Sequence, residues 1–167
     1  MQLSRRLKII GLTLFTSLYS FFSLAEDVPI YSHATKGAIA GIDVVAYFSL
    51  QPGEDAVKGS DQYTHQWKGT TWKFSSKFNK QKFALNPEQY APQYGGYCAF
   101  AVGSGRKGFT TDIRPNSWVI IDNKLYLNHN RSSFKLFMKK PEKRIAKADA
   151  HWPEVLTVCE KRGNCRK

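Results

Sequence analysis

The stretch from Tyr90 to Ala101, Tyr-Ala-Pro-Gln-Tyr-Gly-Gly-Tyr-Cys-Ala-Phe-Ala, constrains the fold of this chain more than any other. Three tyrosines, a phenylalanine, a Gly-Gly pair and the one cysteine outside the C-terminal tail fall within it. Gly95 and Gly96 reach backbone angles closed to other residue types, so the main chain can turn sharply there and approach another surface. Rings of this size fill the middle of a small core and shield the sulfur of Cys98 from water. The chain has no internal repeat and no low-complexity tract, which leaves a small domain with an aromatic centre.

Residues 1–25 have the form of an export leader. A basic start with Arg5, Arg6 and Lys8 precedes an apolar run from Ile9 to Leu24 that is interrupted mainly by Ser and Thr. The run is short and hydroxylated for a spanning helix. Ser23-Leu24-Ala25 puts small residues where a signal peptidase reads, so cleavage is expected after Ala25 and the location expected is the periplasm; an uncleaved anchor is the alternative. The organisation that follows is a signal peptide over 1–25, a polar leader over 26–36, one domain over 37–156 and a basic tail over 157–167. About 140 residues suit a single core.

Export changes what the charge means. The formal net charge is +12, and removing Arg5, Arg6 and Lys8 with the leader leaves +9. Nucleic acid is the usual partner of such a chain, but outside the cytoplasm the anionic partners are membrane head groups, cell-wall polymers and acidic proteins. Much of the excess sits between Lys135 and Lys147, including Lys139, Lys140 and Lys143, and in the tail from Lys161 to Lys167. A solvated helix face and a frayed tail explain these runs equally well.

The three cysteines would meet an oxidising compartment. Cys159 and Cys165 lie close in sequence around a Gly-Asn turn signal, and a disulfide between them is expected. Cys98 is then left over as a buried inert thiol, a metal ligand, a reactive thiol or half of an intermolecular bond.

In chain order, Ile42 to Phe48 reads as a buried strand or turn-strand entered through Gly41 and Asp43. Tyr63 to Phe74 reads as a hairpin turning at Lys68-Gly69, with Trp72 and Phe74 on one face. Ser75-Ser76 supplies a cap for a helix over Lys77 to Leu85, in which Phe78 and Leu85 share a face and Phe83 stands off it. Asn86-Pro87 ends that helix and starts a short second one. Gly103 to Asn116 reads as a long loop. Trp118 to Leu127 is a second hairpin turning at Asp122-Asn123. Helix follows from Ser132 to Leu156, with Pro141 opening a segment and Pro153 marking a break. The fold class expected is α+β, an antiparallel sheet of short hairpins with helices packed around it.

The succession Gly41-Ile-Asp-Val-Val-Ala-Tyr-Phe48, Trp72-Lys-Phe-Ser-Ser76, Phe83-Ala-Leu-Asn-Pro-Glu-Gln-Tyr90 and Tyr94-Gly-Gly-Tyr-Cys98 resembles a YHS-domain protein. Lys124-Leu-Tyr-Leu-Asn128 and Ala146-Lys-Ala-Asp-Ala-His-Trp-Pro153 narrow the resemblance to the exported stand-alone branch, over most of Ile39 to Leu156. The wider group is similar to treble-clef-like metal modules, with proposed ligand cysteines near the first strand and after the aromatic hairpin. Ala46 and Ser75 stand at those positions here. The resemblance therefore implies a metal role only through Cys98.

A metal site on Cys98 needs partners from elsewhere, and the candidates are His129, His33 and Asp43. None of them has metal-ligand spacing such as Cys-x-x-Cys or His-x-x-x-His. A Cys-His set would suit copper or zinc. Asp43, beside Gly41 in a turn, is equally an acceptor for backbone N–H groups. Tyr94, Tyr97, Trp72 and Trp118 are candidates to line a small-ligand pocket, with plain core packing as the alternative. Cys-His catalysis would need a thiolate beside an imidazole, and no catalytic motif accompanies Cys98, so no enzyme is expected. The function expected is an exported binding protein, either of a copper or zinc ion through Cys98 or, without metal, of a small ligand or protein. An acidic protein or a membrane surface would be met through Lys135, Lys139, Lys140 and Lys143.

Overall fold

Three antiparallel ladders of two strands each form the β part of the protein, whose computed structural model describes residues 29–161 and 165. β1 (Ser32–His33) pairs with β2 (Gly37–Ala38), β3 (Ser60–Trp67) with β4 (Thr70–Phe74), and β5 (Arg114–Ile121) with β6 (Lys124–Asn128). The last two pairs are the hairpins read from the sequence. Their turns, Lys68-Gly69 and Asp122-Asn123, all take positive φ, between 46° and 64°, as two-residue hairpin turns of this hand require. The ladders do not merge into one sheet, and helices fill the space between them.

α1 (Lys77–Leu85) starts at Ser76, whose hydroxyl accepts from Asn79 N–H at 3.1 Å. α2 (Pro87–Tyr90) has Pro87 in its first turn. A 3-10 turn over Gln93–Gly96 leads into α3 (Ala99–Val102). α4 (Arg131–Met138) carries a capping box between Asn130 and Ser133, and α5 (Pro141–Lys161) runs to the end of the described chain. The fold is α+β. Among the described residues no helix is long and apolar enough to cross a membrane.

Two apolar clusters share the interior. The larger gathers Ile39, Val44, Tyr47, Trp72, Phe74, Phe83, Cys98, Trp118, Leu125 and Leu127 between the two hairpins. The smaller joins Tyr94, Ala99, Val102, Tyr126, Phe137 and Ala148, so it ties α3, β6, α4 and α5 together. The Gly-Gly turn sits where they meet. Gly95 has φ 61°, and a Cβ there would strike the carbonyl of Pro29, whose strand-like segment lies over it with Tyr31 N–H donating to Gly95 O at 2.8 Å. The polar leader is thus folded against the domain from Pro29 onward; residues 1–28 lie outside the described residues.

Several readings need correction. Ile42 to Phe48 is not a strand: Asp43 Oδ1 accepts from the N–H groups of Val45 (2.9 Å) and Ala46 (3.1 Å), which turns the backbone into a 3-10 helix over Ala46–Ser49. In α1 it is Phe83 that is fully buried, against the rings of Trp67, Trp72 and Phe74 from the hairpin, while Phe78 and Leu85 are 63% and 88% exposed. β5 begins at Arg114, so the loop is shorter than read. α5 passes through Pro153 without ending. A proline inside a helix costs about 3 kcal/mol, and burial of Ala148, Val155 and Cys159 along the same helix outweighs it. The break expected at Pro153 is consequently absent.

Burial holds three phenols in their neutral form. Desolvation raises Tyr126 to about 12, helped by Asp149 and Asp122, and raises Tyr47 and Tyr94 further, the latter helped by its bond to Asp149 Oδ1 at 2.7 Å. A phenol with a raised folded pKa stabilises the fold fully below its unfolded value near 10, and that stability is lost as pH rises because the unfolded chain ionises first. Stability to guanidinium is expected to fall as pH rises above about 10, with a slope approaching 1.4 kcal/mol per pH unit for each such tyrosine between its unfolded and its folded value. Tyr94→Phe should flatten the decline, and a pH-independent midpoint would contradict this packing.

Candidate functional site

Cys98 closes the Gly-Gly turn and is fully buried in the larger cluster. Its thiol lies 3.9 Å from Asn128 Oδ1, which also accepts from Phe100 N–H at 3.2 Å. Burial pushes the thiol pKa up, offset in part by main-chain N–H groups of Ala101, His129 and Phe100 and by the Ser133 hydroxyl. The group stays a neutral thiol and a poor nucleophile. Asn128 is fully buried too, and its Nδ2 is the one buried side-chain polar atom without a partner among the described residues.

The ligands proposed to join Cys98 point elsewhere. The main chain of His129 reaches the sulfur, but its ring turns out to the surface and pairs with Asp112, Nδ1 to Oδ1 at 2.6 Å. His33 is exposed and bonded to Thr35 in its own turn. Asp43 is fully buried, with Oδ1 taken by Val45 and Ala46 and Oδ2 by Ser75 N–H (2.7 Å), Ser75 Oγ (2.6 Å) and Asn79 Nδ2 (2.8 Å). Five donors leave no lone pair aimed at a cation. Among the described residues no group of three or more His, Cys, Asp or Glu side chains can hold a metal. Ala46 and Ser75, where the resemblance would put metal-binding cysteines, both donate to Asp43. A hydrogen-bonded carboxylate thus occupies this junction, and its donors leave no place there for a copper or zinc ion among the described residues.

The aromatic pocket and the disulfide are also corrected. Trp72 and Trp118 lie in the larger cluster, Tyr94 in the smaller, and Tyr97 is buried between Tyr31 and Trp152, so the four rings are divided between cores instead of facing one cavity. Their polar atoms are spent internally: Trp72 Nε1 donates to Trp67 O at 3.1 Å and Trp118 Nε1 to Glu54 O at 3.0 Å. Cys159 is a buried thiol 3.7 Å from Thr110 Oγ1 and makes no bridge to Cys165, whose main-chain carbonyl accepts from the same Thr110 hydroxyl. The helical run through Cys159 to Lys161 keeps that sulfur turned into the core.

What gathers at the surface is charge. Lys139, Lys140, Lys143, Arg144 and Lys147 line one groove with Leu136, at the corner where α4 gives way to α5. The back of the groove is pinned: Arg144 stacks over the Phe100 ring at 4.7 Å and donates to Gly103 O, and Lys147 Nζ donates to Gly105 O at 2.9 Å. Lys139, Lys140 and Lys143 are exposed, and among the described residues none of the three is ion-paired with a carboxylate. Six cations stand against the single carboxylate of Glu142 between Lys135 and Lys147. The charge run from Lys135 to Lys147 pointed here, but Arg144 and Lys147 were not singled out with Lys135, Lys139, Lys140 and Lys143. Their spacing from Lys140, four and seven residues on, was the available signal for one helix face.

In the folded protein, Cys98 is expected to react with an alkylating reagent about 1,000-fold more slowly than in denaturant, since only opening of the core exposes it. Peptide mapping after timed alkylation checks this, and a rate near that of an open thiol would contradict the buried placement.

The YHS domain family model matches residues 53–94. The match takes in the first hairpin, α1, α2 and the chain into the Gly-Gly turn. No curated protein and no solved structure matches the chain. Over residues 53–94 the chain is similar to the YHS domain, a stretch that holds the β3–β4 hairpin and the α1 helix whose Phe83 packs against it.

Proposed function

We propose that this protein is an exported, non-enzymatic binding module whose working surface is the basic corner of α4 and α5, where it meets an anionic macromolecule, with Cys98 serving as core. The observation that carries the reading is the groove itself: five cations face one space, two are held by the Gly103–Gly105 loop, and three are left to solvent without a counter-charge among the described residues. A surface salt-bridge lattice would have interleaved acids with these lysines. Clustered cations of one sign instead raise the local concentration of an anionic partner and its rate of encounter. The leader pattern of residues 1–25 supports the exported setting.

The test uses heparin as a generic polyanion and residues 26–167, which contain every described residue. Lys139→Glu with Lys140→Glu and Lys143→Glu is compared with Lys36→Glu, Lys77→Glu and Lys80→Glu, which changes net charge equally at other places. The first triple variant is expected to lose at least about 30-fold more affinity than the second, and the difference should shrink with salt. Equal losses would mean that heparin reads net charge and not this surface.

A further inference from the structure

We infer that the partner of this surface is an anionic phospholipid bilayer, a deepening that rests on the proposed function above. α4 is the reason. Phe137 is fully buried and marks the inward side of that helix. At 100° per residue, Lys135 and Lys139 stand on the outward side, and Leu136 and Met138 flank them on either hand. Both flanking residues are about two-fifths exposed, at 41% and 39%.

Leu136 lines the same groove as Lys139, Lys140 and Lys143, and a surface that carries both an exposed apolar side chain and unpaired lysines suits an interface in which phosphates lie above hydrocarbon. Lysine stems run along apolar surface while their ammonium groups reach the headgroup phosphates. An acidic protein is matched less well. The three unpaired cations are lysines, point charges on flexible stems, and lack the planar fork that recognises carboxylates in pairs. Arg144 is the one guanidinium lining the groove, and it is committed to Phe100 and Gly103. The bilayer therefore binds with its headgroup phosphates over Lys139, Lys140 and Lys143 and its upper acyl region against Leu136, which lines the same groove.

Flotation of residues 26–167 with vesicles of phosphatidylglycerol and phosphatidylcholine, against phosphatidylcholine alone, tests this without the apolar leader. The chain is expected to float only with the anionic vesicles. Lys139→Glu, Lys140→Glu and Lys143→Glu together should lower partitioning at least about 100-fold, since each basic residue near such a surface is worth several-fold or more. Leu136→Ser should lower it about 3-fold or more, a larger loss than the same variant shows for heparin. Unaltered far-ultraviolet dichroism shows that each variant is folded. Heparin binding that depends on the three lysines, with no flotation, overturns the bilayer and leaves an acidic protein or polymer as partner. Flotation indifferent to Leu136 also overturns it, as a purely electrostatic contact. If neither heparin nor vesicles read the three lysines, the inference and the function it rests on fall together.

Discussion

Asp43→Ala is expected to remove at least about 4 kcal/mol of stability, a large share of the 5–15 kcal/mol that a domain of this size holds. The carboxylate is fully buried and accepts from Val45, Ala46, Ser75 twice, and Asn79. Hydrogen bonds to a charged group contribute about 1.5–3 kcal/mol each and do not add fully, but their loss also leaves donors stranded away from water. One side chain thereby fixes the turn after Gly41, the end of β4 and the first turn of α1. Asp43→Asn keeps the volume but turns an amide NH₂ toward donors on one side, so it should cost nearly as much. Ser75→Ala removes only the hydroxyl's bond to Oδ2, one of the five, while its backbone N–H still donates, and about 1–2 kcal/mol is expected. Denaturant titration measures all three, and an Asp43→Ala loss below about 1 kcal/mol would sink the role given to this residue.

Phe83→Ala should cost about 4 kcal/mol. The ring is fully buried, with Trp72 at 4.8 Å, Phe74 at 5.1 Å, Trp67 at 5.6 Å and His65 at 6.0 Å between centroids. Its removal opens a cavity between two strands and a helix that cannot close on it easily. Phe78→Ala and Leu85→Ala, on the exposed side of α1, should stay within about 0.5 kcal/mol of the parent. The comparison decides the phase of the helix, and a larger loss at Phe78 than at Phe83 would reverse it.

Features set by neighbouring residues were legible in the sequence. Lys68-Gly69 and Asp122-Asn123 specify their hairpins, Ser76 its helix and Pro87 the next, because turn and cap chemistry acts over a few residues. Features set by distant residues were not. Asp43 meets Ser75 and Asn79 from 32 and 36 residues away, which turned an apparent strand into a cap-like junction. His129 does approach Cys98, but with its backbone, and sequence does not say which part of a residue arrives. Phe78 and Phe83 offered two phases for α1, and packing of Phe83 against the rings of the β3–β4 hairpin chose between them. Aromatic wealth was read correctly as material for a centre, while its division into two clusters depends on the Gly-Gly turn passing between them. The basic surface was half legible: the lysines announce themselves, whereas Arg144 and Lys147 join them through a loop about forty residues earlier, at Gly103 and Gly105.

Mapping amide chemical shifts by NMR while a heparin fragment is added to residues 26–167 tests most directly where this protein works. The expected perturbations run from Lys135 to Lys147 and across Gly103 to Lys107, which holds the back of the groove. Shifts centred on Cys98 and Asn128, or spread evenly over every lysine, would contradict the account.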